Sequence, residues 1–194
     1  MWRSHFAPRG CKLIYNTGRS LEDYRALLPK WNLLTPDYFI GGCGTQIFTF
    51  ENDGMDARAD TEWLMLLEEG WDKRIIAEAL QSCSYLRGKY GVVREKREST
   101  NNPRMLSIRL EACSLEGGVA EVRADFENAM RDLRGPNGPL RVQVCAASVA
   151  YDIKSTVTGG SSPGGAVFID LLPAAAGKGA ALAFVSRRRL RLGP

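Results

Sequence analysis

Apolar positions along the chain switch between two spacings. Lys12-Leu-Ile-Tyr-Asn16 reads as a short strand, and Leu21, Tyr24, Leu27 and Leu28 then recur at the spacing of an amphipathic helix. Between them Thr17-Gly18-Arg19 is a tight turn. Ser20 with Asp23 supplies the S-x-x-D signature of a helix start, in which each residue satisfies a backbone N–H that the first turn leaves unpaired. Leu34-Thr35-Pro36-Asp37 marks the next turn, followed by a strand over Tyr38 to Gly41 and another over Thr45 to Phe50, where Thr45, Ile47 and Thr49 alternate. Strands alternating with a helix predict an α/β sheet.

Acids then crowd the chain at Glu51, Asp53, Asp56, Asp60, Glu62, Glu68, Glu69 and Asp72, against the single base Arg58, which suggests a domain boundary near Glu51. Beyond it Ile75, Ile76, Ala79, Leu80 and Cys83 fall at helical spacing. Val119, Val122, Phe126, Met130 and Leu133 form a second helical stripe that stops at Gly135. Met105 to Glu111 and Leu140 to Cys145 alternate like strands, so this region predicts a small α+β unit, helix then strand, repeated once. Thr158 to Gly165 is a loop by composition, and Ala166 to Leu172 is a strand ending at Pro173. Gly177-Lys178-Gly179 opens a helix through Ala180, Leu182 and Val185, and an arginine-rich run follows over Arg187 to Arg191.

Composition removes several function classes. The run Ala180 to Val185 is among the longest apolar stretches, far short of the roughly 18 residues that span a bilayer, so no membrane association is expected. A cytoplasmic address is expected. The 5 cysteines are an odd number without a C-x-x-C pair and read as reduced, mostly buried thiols; the 1 histidine, His5, leaves no multi-histidine metal site and no basis for imidazole chemistry. With a net charge of +4 and no aromatic residue within the arginine run, that run reads as the solvated end of a helix rather than a nucleic-acid patch.

Two places carry candidate chemistry. A strand ending in a hydroxyl residue, then glycine, then a helix start is suited to hold a phosphate: Thr17 offers its hydroxyl and Gly18 lets a backbone N–H approach an anion. The same residues also describe an ordinary strand-to-helix turn with an N-cap. Lys178, flanked by glycines, can reach an anion at the end of a sheet, or stand as a solvated surface lysine. A Walker A loop is excluded, because Leu172 stands where the first glycine is required and Gly179 follows the lysine.

Taken together, Thr17-Gly18-Arg19-Ser20, Leu33-Leu34-Thr35-Pro36-Asp37, Gly44-Thr45-Gln46-Ile47, Glu69-Gly70-Trp71-Asp72, and Asp170-Leu-Leu-Pro173 with Ala176-Gly-Lys-Gly179 resemble the sucrose-phosphate phosphatases of the haloacid dehalogenase superfamily. The resemblance implies a Rossmann-like core, partial here, over residues 1–50 and 152–194, with an inserted α+β cap over 51–151. It implies Thr17 and Gly18 as phosphate ligands and Lys178 as the lysine that neutralises nucleophile and phosphoryl group, the one catalytic residue of the pattern present here. The implied parent reaction, part of sucrose biosynthesis, is Mg²⁺-dependent hydrolysis of sucrose 6-phosphate through an aspartyl-phosphate.

The pattern is incomplete. The family's Asp-x-Asp nucleophile strand has no counterpart, since no acid precedes Thr17, and its Mg²⁺-binding acidic loop has none, since no acid follows Asp170. Gln46 and Met105 stand where glutamate and lysine are usual. These departures predict no metal ligands within this chain and hydrolysis that is weak or absent, with a non-catalytic sugar-phosphate binder, or a piece of a related sugar-phosphate phosphatase, as the alternatives.

Overall fold

Residues Ile14–Asn16 (β1), Leu21–Trp31 (α1) and Tyr38–Gly41 (β2) make a strand–helix–strand unit whose strands run parallel, with Ile14 opposite Tyr38 and Asn16 opposite Ile40. A parallel pair requires such a crossover, because a tight turn can only reverse the chain. The expected capping box forms: Ser20 Oγ accepts from Asp23 N at 3.1 Å, and the Asp23 carboxylate accepts from Ser20 N at 3.3 Å. β3 (Gln46–Glu51) and β4 (Asp56–Ala59) continue the sheet antiparallel, in the order β1-β2-β3-β4. In this computed structural model residues 2–51, 56–91, 95, 102–111, 118–151 and 164–191 are described.

The chain divides into two compact units, residues 1–67 with 175–194, and residues 68–174. In the first, Tyr24 of α1 stacks on Phe39 of β2, ring centroids 4.7 Å apart, while the cross-strand pair Ile40 and Ile47 is fully buried on the opposite face. α2 (Thr61–Glu68) and α6 (Lys178–Phe184) complete this unit, with Trp63 and Phe184 ring centroids 5.0 Å apart. Complete burial of each large side chain contributes about 1.5–3 kcal/mol.

The second unit is a three-stranded antiparallel sheet, β5 (Leu106–Glu111), β9 (Gly164–Pro173) and β8 (Val142–Tyr151), with β9 in the centre. Its alternating Leu106, Ile108, Val144, Val167, Ile169 and Leu171 share a core with residues of α3 (Lys73–Ser82), α4 (Ser84–Tyr90) and α5 (Gly118–Met130), among them Ile76, Leu80, Leu86, Val122 and Phe126. Next to α5 a two-stranded hairpin joins β6 (Arg134–Gly135) to β7 (Gly138–Pro139).

The fold class is mixed α/β, as expected, but the unit boundaries lie elsewhere. β4 pairs with β3, Thr49 opposite Arg58, which carries the first sheet past the boundary expected at 50/51. β9, placed with the first unit by the sequence reading, pairs with β5 and β8 in the second. The acids that suggested a boundary are partly helix caps: Asp60 accepts from Trp63 N at 3.0 Å at the start of α2, and Asp72 accepts from Arg74 N and Ile75 N at the start of α3. Residues 158–163 of the expected loop lie outside the described residues, and Gly164 and Gly165 belong to β9. Cys43, Cys83 and Cys145 are half-buried and Cys11 is exposed, less buried than expected. Among the described residues no helix is long and apolar enough to cross a membrane.

Candidate functional site

β1 ends at Asn16, and the next residue, Thr17, still donates its backbone N–H to Ile40 O at 2.9 Å, so its position is fixed by the sheet. Its hydroxyl oxygen accepts the Arg19 N–H at 3.2 Å. That leaves the hydroxyl proton to donate elsewhere. The Gly18 N–H has no partner among the described residues, and Gly18 is exposed. A hydroxyl and an amide at the end of a strand are thus both available to an anion.

The turn Gly42–Gly44 packs against this end. Gly42 N donates to Arg19 O at 2.9 Å, and a Cβ on Gly18 would meet Cys43 Sγ at 3.2 Å. Gly44 has φ +91°, and a Cβ there would lie 2.3 Å from Gly177 C and 2.8 Å from Lys178 N. Only glycine allows both that backbone conformation and that approach. Thr45 is fully buried, its hydroxyl donating to Gly42 O at 2.8 Å, and Trp63 Nε1 donates to Gly44 O at 3.1 Å, so the turn is held from both sides.

Lys178 opens α6 at this place. Its carbonyl oxygen accepts from the Asn16 side-chain amide at 3.0 Å, across 162 positions of sequence. The two segments singled out from the sequence, Thr17–Gly18 and Lys178, therefore meet at one end of the first sheet. The Lys178 side chain is exposed, and its ammonium has no hydrogen-bond or ion-pair partner among the described residues. Arg19, also exposed, adds a second cation to the turn. In the sequence Gly44 stands out only as part of the Gly44-Thr45-Gln46-Ile47 motif and Asn16 only as the end of a strand, with no role at the site for either; the glycines flanking Cys43 were the available signal, whereas nothing marked Asn16 except its place beside Thr17.

These donors suit a phosphate group: two cations, a hydroxyl and an amide N–H. They do not suit Mg²⁺, which takes carboxylate, carbonyl and water oxygens. Among the described residues no group of three or more His, Cys, Asp or Glu lies close enough to hold a metal ion. The described residues thus do not fit the Mg²⁺ site that the resemblance implies.

Residues 1–90 match the family model of sucrose-6F-phosphate phosphohydrolase. Sucrose-phosphatase 2 of Nicotiana tabacum is 25% identical over 188 residues, covering 97% of this chain and 35% of that protein. Mannosylfructose-phosphate phosphatase of Agrobacterium fabrum is 27% identical over 184 residues, covering 93% of this chain and 57% of that protein. The chain thus spans about a third of the tobacco enzyme's length. Among solved structures, the sucrose-phosphatase of Synechocystis sp. PCC6803 in complex with sucrose and phosphate superposes with TM-score 0.65 at 21% identity, covering 100% of this chain and 63% of that one. A haloacid dehalogenase-like hydrolase from Bacillus subtilis gives TM-score 0.57 at 13% identity, covering 99% and 61%. The sequence matches and the shared fold agree: residues 1–90 carry the sucrose-phosphatase family pattern, the chain as a whole is similar to sucrose-phosphatases, and its fold is that of haloacid dehalogenase-like hydrolases.

Proposed function

We propose that this chain binds the phosphate group of a sugar phosphate, sucrose 6-phosphate foremost, through Thr17, Gly18 and Lys178. In this reading the first unit is the phosphate-binding core, and the second is a cap that contributes to sugar selection. The observation that carries it is the hydrogen bond from Asn16 to Lys178 O, which seats the lysine beside the Thr17 turn. Charge-assisted hydrogen bonds from a lysine, a threonine hydroxyl and a strand-end amide favour a dianionic ester over a neutral sugar. Because the donor set contains no carboxylate, this chain by itself binds the ester and does not hydrolyse it; a covalent acceptor and the oxygens for Mg²⁺ come from outside the described residues.

Calorimetric titration of the chain with sucrose 6-phosphate and with sucrose tests the binding, and phosphate release in the presence of Mg²⁺ tests the chemistry. Saturable binding of the phosphorylated sugar, weaker binding of sucrose and no release above background are expected. Equal binding of both sugars overturns the phosphate site, and turnover overturns the non-hydrolytic part. The relative from Agrobacterium makes mannosylfructose phosphate the informative competitor for sugar preference.

A further inference from the structure

We propose that Asn16 is a positioning residue for Lys178: it touches no anion, and it raises phosphate affinity by fixing where the lysine starts. The inference rests on the phosphate-binding reading above. Asn16 is the last residue of β1, and its side-chain amide spans to Lys178 O at 3.0 Å. The bond is made to the backbone of the very residue whose ammonium has no partner among the described residues, so it constrains the stem of Lys178 while leaving its charge available. Thr17 follows Asn16 directly and is held by the sheet at 2.9 Å through Ile40. One side chain therefore ties the two halves of the site into a common frame.

The Gly44 contact gives independent support. With room for no side chain between Gly44 and the Gly177–Lys178 peptide, the start of α6 lies directly on the Gly42–Gly44 turn. That contact limits how closely α6 can approach, and the Asn16 hydrogen bond resists its withdrawal. A lysine stem is flexible and costs entropy to order. Fixing its backbone origin reduces the volume the ammonium searches and strengthens its contact with an anion at Thr17.

A double-mutant cycle on the full chain tests this, with inorganic phosphate as the calorimetric probe and Asn16→Ala, Lys178→Ala and the double variant as the other corners. Asn16 is exposed, so its truncation opens no core cavity. Asn16→Ala is expected to weaken phosphate binding about threefold to tenfold, the worth of one hydrogen bond, in the parent chain. In the Lys178→Ala background the same change is expected to have no effect, because an influence exerted through the lysine disappears with it. Asn16→Ser, with a shorter side chain that falls short of Lys178 O, should match Asn16→Ala in both backgrounds. Equal losses in the two backgrounds overturn the proposal, since they mean that Asn16 acts on the anion or on the fold directly. A normal affinity in Asn16→Ala with a weakened Lys178→Ala overturns it while leaving the phosphate site intact. Unchanged binding in Lys178→Ala overturns both readings.

Discussion

Arg189 grips Asp60 through two hydrogen bonds, Nε to Oδ2 at 2.6 Å and Nη2 to Oδ1 at 2.8 Å, and the same Nη2 reaches Glu62 at 2.9 Å. Its guanidinium also lies 5.0 Å from the Phe184 ring centroid. Asp60 caps α2, so the last turn after α6 and the first turn of α2 share one carboxylate whose side chain is only 6% exposed. Arg189→Met leaves that carboxylate without its cation and should lower the unfolding free energy by about 1–3 kcal/mol in chemical denaturation at pH 7. Arg189→Lys should recover part of the loss, because one ammonium cannot reproduce the two-pronged contact. An unchanged denaturation midpoint in Arg189→Met would show the pair to be idle.

Acid should destabilise both units. Burial pushes the Asp60 carboxyl up, but hydrogen bonds from Arg189, Trp63 and Glu62 outweigh it and hold the group below its ordinary value. Burial likewise acts first on Asp125, and Lys89, Tyr90 and Tyr85 overcome it, the three side chains donating at 2.7, 2.6 and 3.0 Å. A carboxyl depressed in the folded state stabilises fully above its unfolded value of about 4, and the benefit is lost as pH falls through the lower folded value. Denaturation midpoints should therefore hold down to about pH 5 and decline below about pH 4. Asp125→Asn should lower the midpoint at pH 7 and flatten the acid decline, and an undiminished slope would contradict the assignment.

Gly44→Ala tests how close the backbone contact is. The added Cβ would lie 2.3 Å from Gly177 C in a residue already at φ +91°, so steric and conformational costs coincide. A loss of about 2 kcal/mol or more is expected by denaturation. Gly91→Ala, at φ +74° with no atom within 4 Å of the new Cβ, pays only the conformational part and should lose less. Equal losses would mean that the contact with Gly177 carries no weight.

Trp63→Phe keeps a ring against Phe184 and removes the indole donor, leaving Gly44 O without its 3.1 Å partner. The expected cost is about 1–3 kcal/mol, the penalty for an unsatisfied buried acceptor. Trp63→Ala should cost about 3–5 kcal/mol, because a cavity is added to the lost bond. Equal stability of the parent and Trp63→Phe chains would remove Trp63 as a support of the turn.

Much of the local structure was legible in the sequence because it rests on local chemistry. The Ser20–Asp23 box, the strand at Tyr38–Gly41 and the helical stripe of Val122, Phe126 and Met130 are all visible within a few residues. The unit boundaries were not legible, because they depend on strand pairing: β9 reads as a strand from Ala166 to Leu172, but nothing local says which sheet it joins. The acids from Glu51 to Asp72 misled for a related reason, since their partners, among them Arg189 and Arg104, lie far along the chain. The arginine run shows the same limit, for Arg187 and Arg188 are exposed as expected while Arg189 turns inward to Asp60. At the site, residue type picked out Thr17 and Lys178, and only the fold revealed that Asn16 connects them.

The most direct test of the central claim is calorimetric titration of sucrose 6-phosphate into the parent chain and into Thr17→Val and Lys178→Met. Shared binding of one phosphate predicts a saturable isotherm for the parent and a loss of roughly tenfold or more in affinity for each variant, as expected for charge-assisted hydrogen bonds. Affinities that remain equal across all three chains would contradict it.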